Sequence, residues 1–192
     1  MESFLLKDIE KATLEYFKGD KLATDAWVKK YCLRDLMGNL YELTPDDMHN
    51  RIAKEFARIE AKYPNSMSED EIYGLLKDFK YIVPQGSPME GIGNDYKYST
   101  LSNCYVIKSP KDSYTGILFT EREMIELYKR RGGVGTALHT LRSKDMPTSS
   151  VSEKSSGVVL FAERYSNATR EVAQDGRRGA LMLALDIKHP DS

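Results

Sequence analysis

The chain has 192 residues, 41% of them hydrophobic and 30% charged, and carries a formal net charge of −1. That length suits one large domain, or a small domain followed by part of another, and the composition is that of an ordinary soluble globular protein. The charge excludes the basic footprint of a nucleic-acid binder, two cysteines (Cys32, Cys104) are too few for a disulfide framework, and no CxxC or Cys/His cluster points to zinc. The N-terminus lacks the apolar run of a signal peptide and no stretch is long enough to span a bilayer, so a reducing cytoplasm is the default setting, with no membrane and no nucleic acid as partner.

Residues 4–34 read as helical, with Phe4, Leu5, Ile9, Ala12, Leu14, Tyr16 and Phe17 at near-helical spacing, a break at Gly19-Asp20, and a continuation through Trp27, Val28 and Tyr31. Residues 35–41 form a turn around Gly38-Asn39. Thr44-Pro45-Asp46-Asp47 is a helix start, with a capping threonine, proline at the first helical position and acids in the first turn. The helix runs through Met48, Ile52, Phe56 and Ile59 to about Lys62. Ser68-Glu69-Asp70-Glu71 is a capping box that opens another helix, through Ile72, Leu75, Leu76 and Phe79. Residues 1–80 are thus expected to form an all-helical domain without a chemical motif, and Cys32 within it reads as structural.

From Tyr81 the texture changes to a Gly- and Pro-punctuated passage. Thr100 to Ile107 then favours a strand, with Ser99, Thr100, Ser102 and Asn103 crowding polar groups before Cys104. Two readings stand: a thiol facing a polar ligand, or an inert core cysteine. Residues 108–113 form a turn. Thr120 reads as the cap of a helix with Glu121 and Glu123 in its first turn and Lys129, Arg130 and Arg131 in its last.

Gly132-Gly133-Val134-Gly135 invites comparison with a phosphate-binding loop, but the glycines follow a helix instead of opening one. A C-cap leading into a strand over 134–141, passing close to a neighbour, is favoured. Arg142 to Ser156 is a long polar loop with cations and several hydroxyls, a length often tied to function. Residues 157–173 read as a helix. Gln174 to Ala180 combines paired arginines with glycines, equally suited to holding an anion or to a solvated turn. Leu181 to Ile187 reads as a parallel strand buried on both faces.

Three motifs in order, Leu101-Ser102-Asn103-Cys104, Lys129-Arg130-Arg131-Gly132-Gly133-Val134-Gly135 and Ala173-Gln174-Asp175-Gly176-Arg177-Arg178-Gly179-Ala180 with His189-Pro190-Asp191, closely resemble the catalytic subunit of ribonucleotide reductase. The resemblance covers about residues 80–191. It implies an α/β fold in which the N-terminal helical domain (1–80) precedes the first part of a ten-stranded α/β barrel (81–192). Cys104 matches the cysteine that delivers electrons to the ribose and becomes half of a disulfide, with Ser102 and Asn103 beside the substrate. Asp112, Ser113, Arg142 and Lys144 match positions around the effector, a deoxynucleoside triphosphate or ATP. Gln174, Asp175, Gly176, Arg177, Arg178 and Gly179 match the loop that links effector to substrate base. The helices from about Thr120 and Gly157 match those that pack against a second subunit.

Ser143 and Asp145 depart from the family's usual wording of the first effector loop, and Asp145 adds a negative charge that bears on effector affinity. The radical cysteine, its Asn-x-Cys-x-Glu motif and the disulfide partner of Cys104 have no counterpart in the 192 residues. The expectation is therefore part of an enzyme reducing ribonucleoside diphosphates for DNA synthesis, inactive by itself, with the remaining C-terminal half, a second copy and a thioredoxin- or glutaredoxin-type reductant as partners. Its radical source would be adenosylcobalamin or a separate radical subunit, and the arginine–glycine wording leans towards the former. A non-catalytic deoxynucleotide-binding fragment and a decayed remnant are the alternatives.

Overall fold

Local capping marks the starts of three N-terminal helices. Asp20 accepts from the Ala23 N–H at 2.9 Å and starts α2 (Lys21–Lys30) after α1 (Leu6–Tyr16). At α3 (Pro45–Glu60) the Asp47 carboxylate accepts from the N–H groups of Leu43 and Thr44. Ser68 and Glu71 cap one another at α4 (Glu69–Leu76). The helix expected to continue through Phe79 stops at Leu76. A single 3-10 turn (Lys77–Phe79) comes next, in which Asp78 turns left-handed at φ 56°.

The computed structural model describes residues 3–151, 153–174 and 177–192. The chain divides into two compact units, Met1–Leu101 and Ser102–Ser192. In the first, α3 packs on α4 and α1 on α2, around Ile9, Trp27, Val28, Met48, Ile52 and Leu76. Cys32 lies in this core, where burial pushes its thiol up to about 12. The Gly- and Pro-rich passage from Tyr81 contains a short helix, α5 (Gly86–Gly91), that the punctuation hid. It sits in the first unit: Met89 and Ile92 pack on the helical core, and Arg51 donates to the carbonyls of both. Contacts thus group residues 81–101 with the helices, whereas the sequence reading places them at the start of the barrel part.

The second unit is a parallel α/β arrangement. Strands β1 (Cys104–Val106), β2 (Gly133–Ala137) and β5 (Leu181–Ala184) form a sheet in the order β1-β2-β5, all parallel. Helix α6 (Tyr114–Tyr128) connects β1 to β2, and α7 (Val158–Glu171) lies between β2 and β5. A small antiparallel pair, β3 (Ala173–Gln174) and β4 (Arg177–Arg178), precedes β5. One sheet face packs through Val134 and Leu181 against α6 and α7, with Met124, Tyr128, Leu138 and Tyr165 in the core. Tyr165 donates to the Ile117 carbonyl at 3.0 Å, and Thr169 donates to the Tyr128 hydroxyl at 3.2 Å, so two buried tyrosines fasten α7 to α6.

Three expectations are corrected here. Helix α6 begins at Tyr114, capped by Ser113, whose hydroxyl accepts from Gly116 at 3.1 Å; Thr120 is a buried mid-helix residue. The left-handed residue that ends α6 is Arg131 (φ 70°), not a glycine, and the Gly132 N–H closes the turn on the Leu127 carbonyl at 2.9 Å. The same turn is closed a second time by the Arg131 N–H on the Tyr128 carbonyl at 3.0 Å. Finally, β5 is not buried on both faces: burial alternates along it, and Met182 stands exposed. Among the described residues, no helix is long and apolar enough to cross a membrane.

Candidate functional site

Cys104 opens β1, directly opposite Gly133 of β2. Paired residues of neighbouring strands share a sheet face, and alternate residues along a strand return to it. One face therefore carries Cys104 and Val106 of β1, Gly133 and Gly135 of β2, and Ala180 and Met182 in line with β5. Gly133, directly across from the thiol, has no side chain, and Gly135 and Ala180 are small, while Val106 and Met182 stand exposed further along the face. Cys104 is exposed and unbridged in this chain.

The glycines also serve packing. A Cβ at Gly133 would lie 3.2 Å from both the Ala180 Cβ and the Asn103 carbonyl oxygen, and one at Gly132 would lie 3.0 Å from the Tyr105 ring. Their shape lets β2 pass tightly between its neighbours. Ser102 is exposed and Asn103 half-buried, both immediately before the thiol, and the Asn103 carbonyl accepts from the Gly133 N–H at 2.7 Å.

A second feature lies on the helix side. A cavity of about 240 Å³ is bounded by Asp112, Ser113 and Tyr114 at the start of α6, by Phe161 of α7, and by Arg142 and the hydroxyl-rich loop with Thr148, Ser150, Lys154, Ser155 and Ser156. Tyr114 and Phe161 meet edge to face, with ring centroids 6.0 Å apart. Arg142 Nε donates to the Asp112 carboxylate at 2.8 Å, and its Nη1 donates to the Pro147 carbonyl at 2.6 Å. The loop itself folds back, with the Asp145 N–H on the Ser155 carbonyl and the Thr148 N–H on the Glu153 carbonyl. The lining thus combines two aromatic rings, several hydroxyls, Lys154 and an Asp112–Arg142 ion pair, groups that can meet a planar ring and an anionic group.

The expected residues divide accordingly. Asp112, Ser113 and Arg142 come together in the cavity, while Lys144 and Asp145 do not line it. The Lys144 N–H instead donates to the Asp191 carboxylate. That carboxylate also accepts from the Val158 N–H, and the two bonds hold it below the usual carboxylate range. Gln174 and Arg177 pair across the β3–β4 ladder, with Ala173 opposite Arg178, and Asp175 and Gly176 lie outside the described residues. Gly179 has a packing reason of its own, since a Cβ there would come within 2.9 Å of Thr169 Cγ2 and 3.0 Å of its carbonyl oxygen. Tyr114, Lys154 and Phe161 were missed. The serine-rich stretch flagged the loop, but nothing local marks one aromatic at each helix start as a shared wall.

Residues 102–192 match the family model described as "Ribonucleotide reductase, barrel domain". This unit belongs to the ribonucleotide reductase barrel family. The match covers the whole second unit, so the parallel sheet and its crossover helices are part of an α/β barrel. The chain is 31% identical over 167 residues to the vitamin B12-dependent ribonucleoside-diphosphate reductase of Mycobacterium tuberculosis, covering 85% of this chain and 23% of that protein. It is 30% identical over 176 residues to the ribonucleoside-diphosphate reductase subunit alpha of Helicobacter pylori, covering 91% of this chain and 21% of that one. The large subunit of the Arabidopsis thaliana reductase is 30% identical over 93 residues, 47% of this chain and 11% of that subunit. The chain thus spans under a quarter of the length of the first of these reductases. Among the described residues, no group of three or more His, Cys, Asp or Glu side chains is arranged to hold a metal ion.

Proposed function

We propose that the chain is the N-terminal part of a ribonucleotide reductase catalytic subunit, acting on ribonucleoside diphosphates together with the remaining C-terminal half. The observation that carries this reading is the solvent-open Cys104 on a shelf of small residues, within a unit of the barrel family. Cys104 and a second cysteine outside this chain would each give up one hydrogen. One leaves with the ribose 2′-hydroxyl as water, the other takes its place on C2′, and the two sulfurs, now oxidised, join as a disulfide. Ser102 and Asn103 stand next to the thiol in sequence and would contact the ribose. A thioredoxin- or glutaredoxin-type dithiol would reduce the disulfide again.

The cavity bounded by Tyr114, Phe161, Arg142 and Lys154 would take the effector, a deoxynucleoside triphosphate or ATP, with its phosphates towards the hydroxyls and cations. Leu118, Phe119, Val159 and Leu160 on α6 and α7 are exposed apolar side chains and suit packing against a second copy. The radical source would be held outside these residues. Adenosylcobalamin is the favoured one, from the B12-dependent relative; it would supply the radical that starts the reaction.

The test combines the chain with the remaining half and measures deoxynucleotide formation from a ribonucleoside diphosphate, with and without adenosylcobalamin. Turnover is expected in the combination and not from the chain alone. Cys104→Ser should abolish multiple turnover with a dithiol reductant, because serine forms no disulfide. Normal turnover by that variant would remove Cys104 from the reaction.

A further inference from the structure

The turn after β5 reaches back and fastens both ends of the cavity loop. At one end, the Lys144 N–H donates to the two Asp191 carboxylate oxygens at 3.0 and 3.1 Å. At the other, the Val158 N–H, the first of α7, donates to Asp191 Oδ2 at 2.9 Å across 33 residues of sequence. His189 completes the fastening. Its Nδ1 accepts from the Asp191 N–H at 3.1 Å, so Nε2 carries the proton and donates to the Leu141 carbonyl at 2.8 Å. The turn is closed on itself by the His189 N–H on the Asp186 carbonyl and the Ser192 N–H on the His189 carbonyl, both at 2.9 Å.

Gly157 makes room for this arrangement. It precedes α7 without a side chain to cap the helix, at φ 86°, and a Cβ there would sit 2.8 Å from Lys144 Cβ and 3.0 Å from Asp191 Oδ2. The capping role that a local serine or aspartate usually fills has passed to a carboxylate from beyond β5. A negative group at that position is also favoured by the dipole of α7.

We infer that His189 and Asp191 are positioning residues that hold the cavity loop in its ligand-ready shape and couple it to β5, an inference resting on the effector reading of that cavity. The loop from Leu141 to Gly157 carries Arg142, Lys154 and the hydroxyls of the cavity, and both of its ends meet at one carboxylate. That carboxylate comes closely after β5, the strand entered from residues 174–180. A displacement on either side is therefore felt on the other.

The experiment uses the full chain and measures backbone amide exchange alongside binding of dTTP. Asp191→Ala should raise exchange at Lys144 and Val158 on the order of tenfold or more and weaken dTTP by a similar factor, since charge-assisted bonds are lost at both loop ends. Asp191→Asn should recover part of both effects, because its amide oxygen still caps Val158; should the alanine variant fail to fold, the asparagine variant carries both readouts. Faster exchange at Lys144 and Val158 with dTTP affinity unchanged would overturn the inference, as would unchanged exchange. If the wild-type chain binds no dTTP, the effector reading fails by itself. The coupling then stands if exchange in Asp191→Ala also rises at Thr148 and Ser155, deep in the loop, and falls if the change stays at Lys144 and Val158.

Discussion

Removing Arg51 should cost the first unit a large share of its stability. Arg51 Nε donates to Glu42 Oε1 at 2.7 Å, with the two side chains only 10% and 3% exposed. The other Glu42 oxygen accepts from the Leu33 N–H at 2.7 Å, and the Arg51 fork holds the carbonyls of Met89 and Ile92. Arg51→Ala therefore leaves a buried carboxylate without its cation and two carbonyls without their donor. Breaking a buried pair from one side costs about 3–5 kcal/mol, against a total stability of roughly 5–15 kcal/mol for a domain. The single tryptophan, Trp27, lies in the core of this unit, so urea unfolding followed by its fluorescence reads the loss. Burial outweighs Arg51 and raises the Glu42 pKa. A carboxyl with a raised folded pKa favours the fold below its unfolded pKa, near 4.3, and loses that contribution as pH climbs through the folded value. Without Arg51 the folded value rises further, so the variant should be less impaired near pH 5 than at pH 8. The double variant Glu42→Gln/Arg51→Met, which buries no charge, should recover much of the loss. A loss under about 1 kcal/mol in Arg51→Ala, the range of an exposed pair, would refute the reasoning.

Other consequences are as direct. Iodoacetamide should alkylate Cys104 in the native chain and spare Cys32, whose thiol is buried and titrates at about 12; mass spectrometry reads both sites, and equal labelling would contradict the packing around Cys32. Asp191 is held below the usual carboxylate range first by the Val158 N–H and then by the Lys144 N–H. Its fastening should therefore be intact above the unfolded value near pH 3.9 and be lost as pH falls through the lower folded value, seen as faster exchange of the Lys144 and Val158 amides in acid. Gly179→Val should destabilise the second unit by about 1–3 kcal/mol through overpacking against Thr169, measured by urea unfolding followed by far-ultraviolet circular dichroism.

What could be read from the sequence was local. The starts at Thr44-Pro45 and Ser68–Glu71 were legible because cap and capped groups lie within three residues. The start of α6 was not. Thr120-Glu121 imitates a cap, whereas the true one, Ser113, is followed by Gly116, which reads as part of a turn. Gly116 is there because a Cβ would meet the Lys111 carbonyl at 2.6 Å, a contact that no propensity reveals. Cys104 faces Gly133 across a strand pairing 29 residues apart in sequence, and the cavity carries an Asp112–Arg142 pair 30 residues apart. The three family motifs were legible as words, and their sheet pairing was not. His189 and Asp191 were noticed without a role, because their partners, Leu141, Lys144 and Val158, are distant in sequence.

The three-stranded sheet ends in two open margins. Among the described residues, β1 and β5 each pair with β2 alone, leaving on their far sides rows of peptide groups that ask for a neighbour. Such margins are adhesive. A further strand laid along either margin would extend the ladder through backbone hydrogen bonds alone. At high concentration the same margins invite the chain to pair with itself.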